Sequence, residues 1–98
     1  MKTRRITYTL TAHEYLKHLH PSLKSPLREM IEELLLEPLK GKPLRDEFEG
    51  FRSHRFKKYR VIYRYRAEKE VIEVLFAGHR REVYKLFSNY LKGLKNKH

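Results

Sequence analysis

Residues 51–77 carry three strand patterns in close succession, so a chain holding them must fold around a sheet. In Tyr59-Arg60-Val61-Ile62-Tyr63-Arg64-Tyr65-Arg66, Val61, Tyr63 and Tyr65 form a stripe at a period of two, with arginines interleaved at 60, 64 and 66. That is the repeat of a strand. Residues 51–56 precede it as a second strand pattern, with Lys57-Lys58 at the bend. Neither bend residue is glycine or asparagine, which leaves the turn type open. Past the connection Ala67-Glu68-Lys69-Glu70 a third apolar run covers 71–77, and Gly78 is read as its end.

The flanks read as one further strand and three helices. Ile6, Tyr8 and Leu10 alternate with polar residues as a first strand, and Thr11 with Glu14 has the spacing of a capping box. Ala12, Tyr15, Leu16 and Leu19 then fit a short helix running to Pro21. Ser25-Pro26 is read as starting or restarting a second helix, with Leu23, Leu27, Met30, Ile31, Leu34 and Leu35 on its apolar face. Pro38 and Gly41 end it, and 39–50 form a charged loop. A last helix carries Val83, Leu86, Phe87, Tyr90, Leu91 and Leu94 on one stripe and ends near Gly93. The order β-α-α-β-β-β-α predicts an α+β domain over residues 1–98. Its antiparallel sheet has about four strands, with an N-terminal helical hairpin packed on it and a C-terminal helix. At 98 residues, 40% of them hydrophobic, the chain holds one modest core. It has no cysteine, hence no disulfide or thiolate metal site, and no apolar run near the length of a membrane span. A cytoplasmic protein without a signal peptide is the expectation.

Charge narrows the function. Residues 40–66 hold ten bases against three acids, whereas residues 1–39 hold six against five, so the net charge of +11 is concentrated in the strand region. A block of this sign suggests a polyanionic partner, and arginines interleave with aromatics there in a way that solvation alone does not explain. Membrane-surface binding fits less well, because these segments read as strands and not as a basic amphipathic helix. His13, His18 and His20 lack the spacing of a zincin pair, and no metal or other cofactor is expected.

The stretch Tyr59-Arg60-Val61-Ile62-Tyr63, preceded by basic 52–58 and followed by Ala77-Gly78-His79-Arg80-Arg81-Glu82-Val83-Tyr84, resembles the RelE/ParE toxin superfamily. Pro43-Leu44 to Gly50 is similar to that family's approach to its second strand. The resemblance implies a toxin of a type II toxin–antitoxin pair, held by an antitoxin that wraps around it. RelE-like members cleave mRNA in the ribosomal A site. ParE-like members poison DNA gyrase without nuclease chemistry, and a non-toxic antitoxin-binding copy is a third possibility. The first reading is favoured, with ribosome and mRNA as targets and an acidic, partly disordered antitoxin as partner.

RNA cleavage of this kind uses a 2′-hydroxyl as nucleophile on its own 3′-phosphate. The site must take a proton, neutralise a phosphorane and protonate the leaving oxygen. By the resemblance, Arg55, Arg60 and Arg80 are phosphate or transition-state ligands, and Tyr84 stacks on a base or assists proton transfer. Arg52, His54, Lys57, Lys58, Arg64 and Arg81 are expected to contact nucleic acid. Ser53 and Arg55 stand where some members carry two lysines, and Lys42 where others carry a glutamate, so the general base is open. His79 and His54 are its candidates, because an imidazole titrates near neutrality. His79 is preferred for its place in the motif. A competing reading makes Arg60 the ion-pair partner of Glu73 or Glu82.

Overall fold

The computed structural model describes residues 3–95. Its elements are β1 (Arg5–Tyr8), α1 (Leu10–Lys17), α2 (Pro21–Glu32), β2 (Lys42–Pro43), β3 (Arg52–Phe56), β4 (Tyr59–Arg66), β5 (Val71–His79) and α3 (Val83–Lys95), with 3-10 turns at Glu33–Leu35 and Asp46–Phe48. The sheet order is β1-β5-β4-β3-β2. The meander β3-β4-β5 is antiparallel as the alternation requires, and β2 adds two residues antiparallel to β3. Two features correct the expectation of about four antiparallel strands. There are five strands among the described residues, and β1 pairs with β5 in parallel, Ile6 opposite Ile72 and Tyr8 opposite Val74. Alternation identifies a strand but carries no information on its partner's direction.

Helices cover both faces. On one, Ala12 of α1 and Leu27, Met30 and Ile31 of α2 pack with Val61, Tyr63, Ile72, Val74 and Ala77. On the other, Val83 and Phe87 of α3 pack with Ile62, Leu75 and Phe76. The helix starts also differ from their sequence signals. Thr9, not Thr11, caps α1: its Oγ1 accepts from the Ala12 amide at 3.1 Å and donates to the Leu75 carbonyl at 2.6 Å. Its own amide still donates to Val74 at 3.0 Å, so the sheet pins the cap two residues earlier. Helix α2 begins at Pro21, whose missing N–H costs nothing in the first turn, with the His20 Nδ1 accepting from the Ser22 amide at 3.1 Å. Pro26 therefore lies inside the helix and does not start it.

Two local irregularities shape the site. Strand β5 runs through Gly78 to His79 and is not broken by the glycine, which lets α3 close down: a Cβ at Gly78 would stand 3.3 Å from a Val83 methyl. Upstream, Ile62 pairs with Phe76 but Tyr63 with Val74, which leaves Leu75 as an extra residue in β5. A bulge of this kind reverses the face of every side chain beyond it.

The β3–β4 turn has two residues, Lys57-Lys58, with Lys57 at φ +54°. A left-handed lysine costs about 1 kcal/mol that glycine avoids. Lys57→Gly is accordingly expected to raise the unfolding free energy by about 1 kcal/mol, measured by urea denaturation; a loss of stability would contradict that account.

Candidate nucleic-acid interface

Strands β3 and β4 place Arg55 directly opposite Arg60, and Arg60 lies opposite Gly78 of β5, all on the face that α3 covers. Arg80 and Arg81 follow at the end of β5, and Lys42 of β2, opposite Ser53, joins from the other side. Together with Lys40, His54 and Tyr84 they line an open cavity of about 800 Å³ in which no carboxylate takes part. Like charges directly opposite each other in a sheet destabilise it by about 0.2–1 kcal/mol, so folding alone does not favour the Arg55–Arg60 pair.

Most of these cations are free to meet an anion. Arg60 donates only to the backbone carbonyls of Lys57, at 3.1 Å, and Tyr59, at 2.9 Å. Its proposed structural partner Glu73 is taken instead by Arg64, at 2.9 Å, and Arg66, at 2.7 Å. Among the described residues, Arg55, Arg60, Arg80 and Arg81 have no carboxylate within 4.0 Å. Lys40 differs, since its ammonium stands 2.8 Å from Glu33. Tyr84, in the first turn of α3, donates its hydroxyl to Ser53 Oγ at 3.0 Å, and its ring lies 6.0 Å from that of Phe48. Ser53 is buried, so this bond fixes the phenol against the strand.

Other residues singled out in the sequence lie elsewhere. His79 pairs with Tyr59 on the face of α1 and α2, its ring 6.1 Å from the tyrosine ring, and its Nδ1 accepts from the Arg81 amide at 3.2 Å. It does not line the cavity. Arg52 is spent on backbone, donating to the carbonyls of Leu39 at 3.1 Å and Gly41 at 2.7 Å. Arg64 is held by Glu73 and lies over the Phe51 ring at 5.5 Å. Lys57 and Lys58 sit exposed at the hairpin tip, outside the cavity lining. Conversely Lys40 was not singled out from the sequence, although the charge block from residue 40 onward contains it.

His54 lines the cavity with its Nε2 buried and unpartnered. Burial, and then the charge of Lys40, push its pKa below the ordinary imidazole value, against a smaller opposing effect of Glu33. The unfolded imidazole takes a proton near about 6.5 while the native one resists it, so the unfolded state binds more protons below that pH. Stability is therefore expected to fall as the pH drops from about 7 towards 5, and His54→Gln to flatten the decline, as measured by urea unfolding across that range. A slope unchanged by the substitution would contradict it.

The arrangement matches known proteins. The chain is 35% identical over 82 residues to toxin RelG of Mycobacterium tuberculosis, which covers 82% of this chain and 94% of that protein. The crystal structure of the toxin–antitoxin complex RelBE2 from Mycobacterium tuberculosis superposes with a TM-score of 0.73 at 34% identity, covering 81% of this chain and 100% of the matched one. The isolated E. coli RelE toxin gives a TM-score of 0.69 at 20% identity, over 95% of this chain and 99% of that one, a likeness of fold. The architecture is thus RelE-like, a small sheet sandwiched by helices with a basic cavity at its strand ends. The model of the ParE toxin of type II toxin–antitoxin systems matches residues 6–84, and the chain belongs to the RelE/ParE superfamily of type II toxins.

Proposed function

We propose that this toxin is a ribosome-dependent endoribonuclease that cleaves mRNA in the A site. The observation that carries the reading is the group of unpaired guanidinium ions, Arg55, Arg60, Arg80 and Arg81, around one cavity without a carboxylate. Guanidinium forks suit phosphate oxygens, and a preorganised set of them stabilises the extra charge of a phosphorane. In the reaction the 2′-oxygen bonds to phosphorus as the P–O5′ bond breaks, leaving a 2′,3′-cyclic phosphate and a 5′-hydroxyl. The 2′-hydroxyl proton passes to a base, and a proton is delivered to O5′.

Both candidate bases register on the face of α1 and α2, His54 opposite Val61 and His79 opposite Tyr59; His54, whose pKa burial lowers, is the one that also contributes to the cavity lining, and it takes the role of base in this reading. Tyr84, anchored by Ser53, is the residue to stack on a base or supply the proton. The partner is an acidic, partly disordered antitoxin that masks the basic face, in keeping with the toxin–antitoxin complex among the matched structures. Its affinity is expected to fall with added salt.

A second reading, a gyrase poison, is favoured by one finding, the family model described as ParE toxin. Induction in growing bacteria separates the two. Under the endoribonuclease reading amino-acid incorporation stops first and thymidine incorporation continues; the reverse order, with DNA damage, would support gyrase and overturn it.

A further inference from the structure

A second crevice, of about 520 Å³, opens beside β1 at one edge of the sheet and shares no lining residue with the arginine cavity, which runs from β2 to the end of β5. Its walls are two helical ladders of basic side chains. His13 and Lys17 stand one turn apart on α1, and Lys24 and Arg28 stand one turn apart on α2. At this spacing side chains point to the same side of a helix. Between them the surface is apolar: Tyr8, 39% exposed, and Leu16 line the crevice above buried Ile31. Glu32 is the one acid in the lining. Among the described residues Lys17, Lys24 and Arg28 have no carboxylate within 4.0 Å, so none of the three is tied into an ion pair. Packing of the fold does not call for this arrangement, because the adjoining core is closed by Ala12, Leu27 and Ile31, each fully buried.

We propose that this crevice is a second nucleic-acid contact, which takes an unpaired nucleotide of single-stranded RNA with its base against Tyr8 and Leu16 and the flanking phosphates on Lys17, Lys24 and Arg28. The combination of an exposed aromatic ring with flanking cations is what single-strand recognition uses, the ring for a base face and the ammonium and guanidinium groups for the backbone. A duplex would present its phosphates but keep its bases stacked, and would leave the tyrosine unused. The choice of RNA over another polyanion rests on the endoribonuclease reading. The site itself does not, since it lies apart from the arginine cavity. A toxin gripping RNA at these two separate places would be oriented on the ribosome by the crevice while the cavity meets the scissile phosphate.

The test is fluorescence anisotropy with a short, unstructured, labelled RNA oligonucleotide, titrated at several salt concentrations. An Arg60→Ala/Arg80→Ala protein, its cavity weakened, is expected to keep salt-dependent binding. Adding Lys24→Ala and Arg28→Ala should then weaken affinity about tenfold or more and reduce the slope of log K against log salt by about 1.4, two single-strand phosphate contacts. Tyr8→Ala should lower affinity by roughly tenfold while Tyr8→Phe retains it, which separates stacking from a general loss of charge. Affinity and slope unchanged by the crevice substitutions would overturn the proposal. So would crevice substitutions that weaken antitoxin binding alone, which would make the crevice a protein-docking face. Loss of mRNA cleavage as a finding, with oligonucleotide binding still dependent on Lys24, Arg28 and Tyr8, would remove the endoribonuclease reading and leave the crevice standing.

Discussion

Arg60→Ala and Arg80→Ala are each expected to reduce mRNA cleavage by about 10²–10³-fold, the loss that follows removal of one preorganised charge partner from a phosphoryl transition state. Both residues line the cavity and neither is committed to a carboxylate, so the charge each offers is available to substrate. The fold should not suffer. Arg60 faces Arg55 directly across the β3–β4 pair, and relieving two like charges offsets the loss of its bonds to the Lys57 and Tyr59 carbonyls. The unfolding midpoint is therefore expected to stay level or rise slightly while growth arrest on induction is lost. Such a divergence of stability from activity marks a functional site. Two well-folded single variants that arrest growth as the wild type does would remove the cavity from the mechanism.

The largest structural effect is expected at Tyr63. Its ring is fully buried under α1 and α2, and its hydroxyl donates to the Pro38 carbonyl at 2.7 Å and accepts from the Gly41 amide at 2.9 Å. Tyr63→Phe would strand both backbone groups in the interior. At about 1–3 kcal/mol for each of the two buried groups left unsatisfied, the expected cost is about 2–6 kcal/mol. The same contact explains why residue 41 is glycine. A Cβ there would stand 2.6 Å from Tyr63 Cε1 and 2.7 Å from its hydroxyl oxygen, and a buried ring cannot swing away, so Gly41→Ala should be at least as damaging. Because residues 38–43 carry Lys40 and Lys42 to the cavity rim, cleavage should decline along with stability. Urea denaturation checks the first part. A Tyr63→Phe protein within about 0.5 kcal/mol of wild type would show that the bonds contribute little.

How far the sequence revealed this architecture differs from element to element. The meander from Arg52 to His79 is legible because 51–56, 59–66 and 71–77 are stretches bearing apolar and aromatic residues, set apart by charged connections, and α3 because its stripe buries Val83 and Phe87. The parallel pairing of β1 with β5 is a contact across more than sixty residues, for which four alternating side chains hold no signal. Thr9 displaces Thr11 as a cap for a similar reason: its hydroxyl is satisfied by Leu75, 66 positions away.

The site was legible in kind rather than in detail. The excess of bases between residues 40 and 66 forecasts a cationic surface, and Arg55, Arg60 and Arg80 do meet there. Which way His79 faces depends on Leu75. Without that extra residue, counting by twos along β5 would turn His79 towards the arginines; with it, His79 turns to Tyr59. A single bulge leaves no mark in the alternation of an apolar run in which Val74, Leu75, Phe76 and Ala77 are all buried. Arg52 and Arg64 teach the converse lesson, since sequence records their charge but not that backbone carbonyls and Glu73 consume it.

The central claim, that the arginine cavity cleaves mRNA on the ribosome, is tested most directly by mapping mRNA 5′ ends after adding the purified toxin to a reconstituted translation system, with and without ribosomes. The account predicts cuts within the A-site codon that bear 5′-hydroxyl ends, vanish when ribosomes are omitted and fade with Arg60→Ala. Intact mRNA with a normal peptide yield would contradict it.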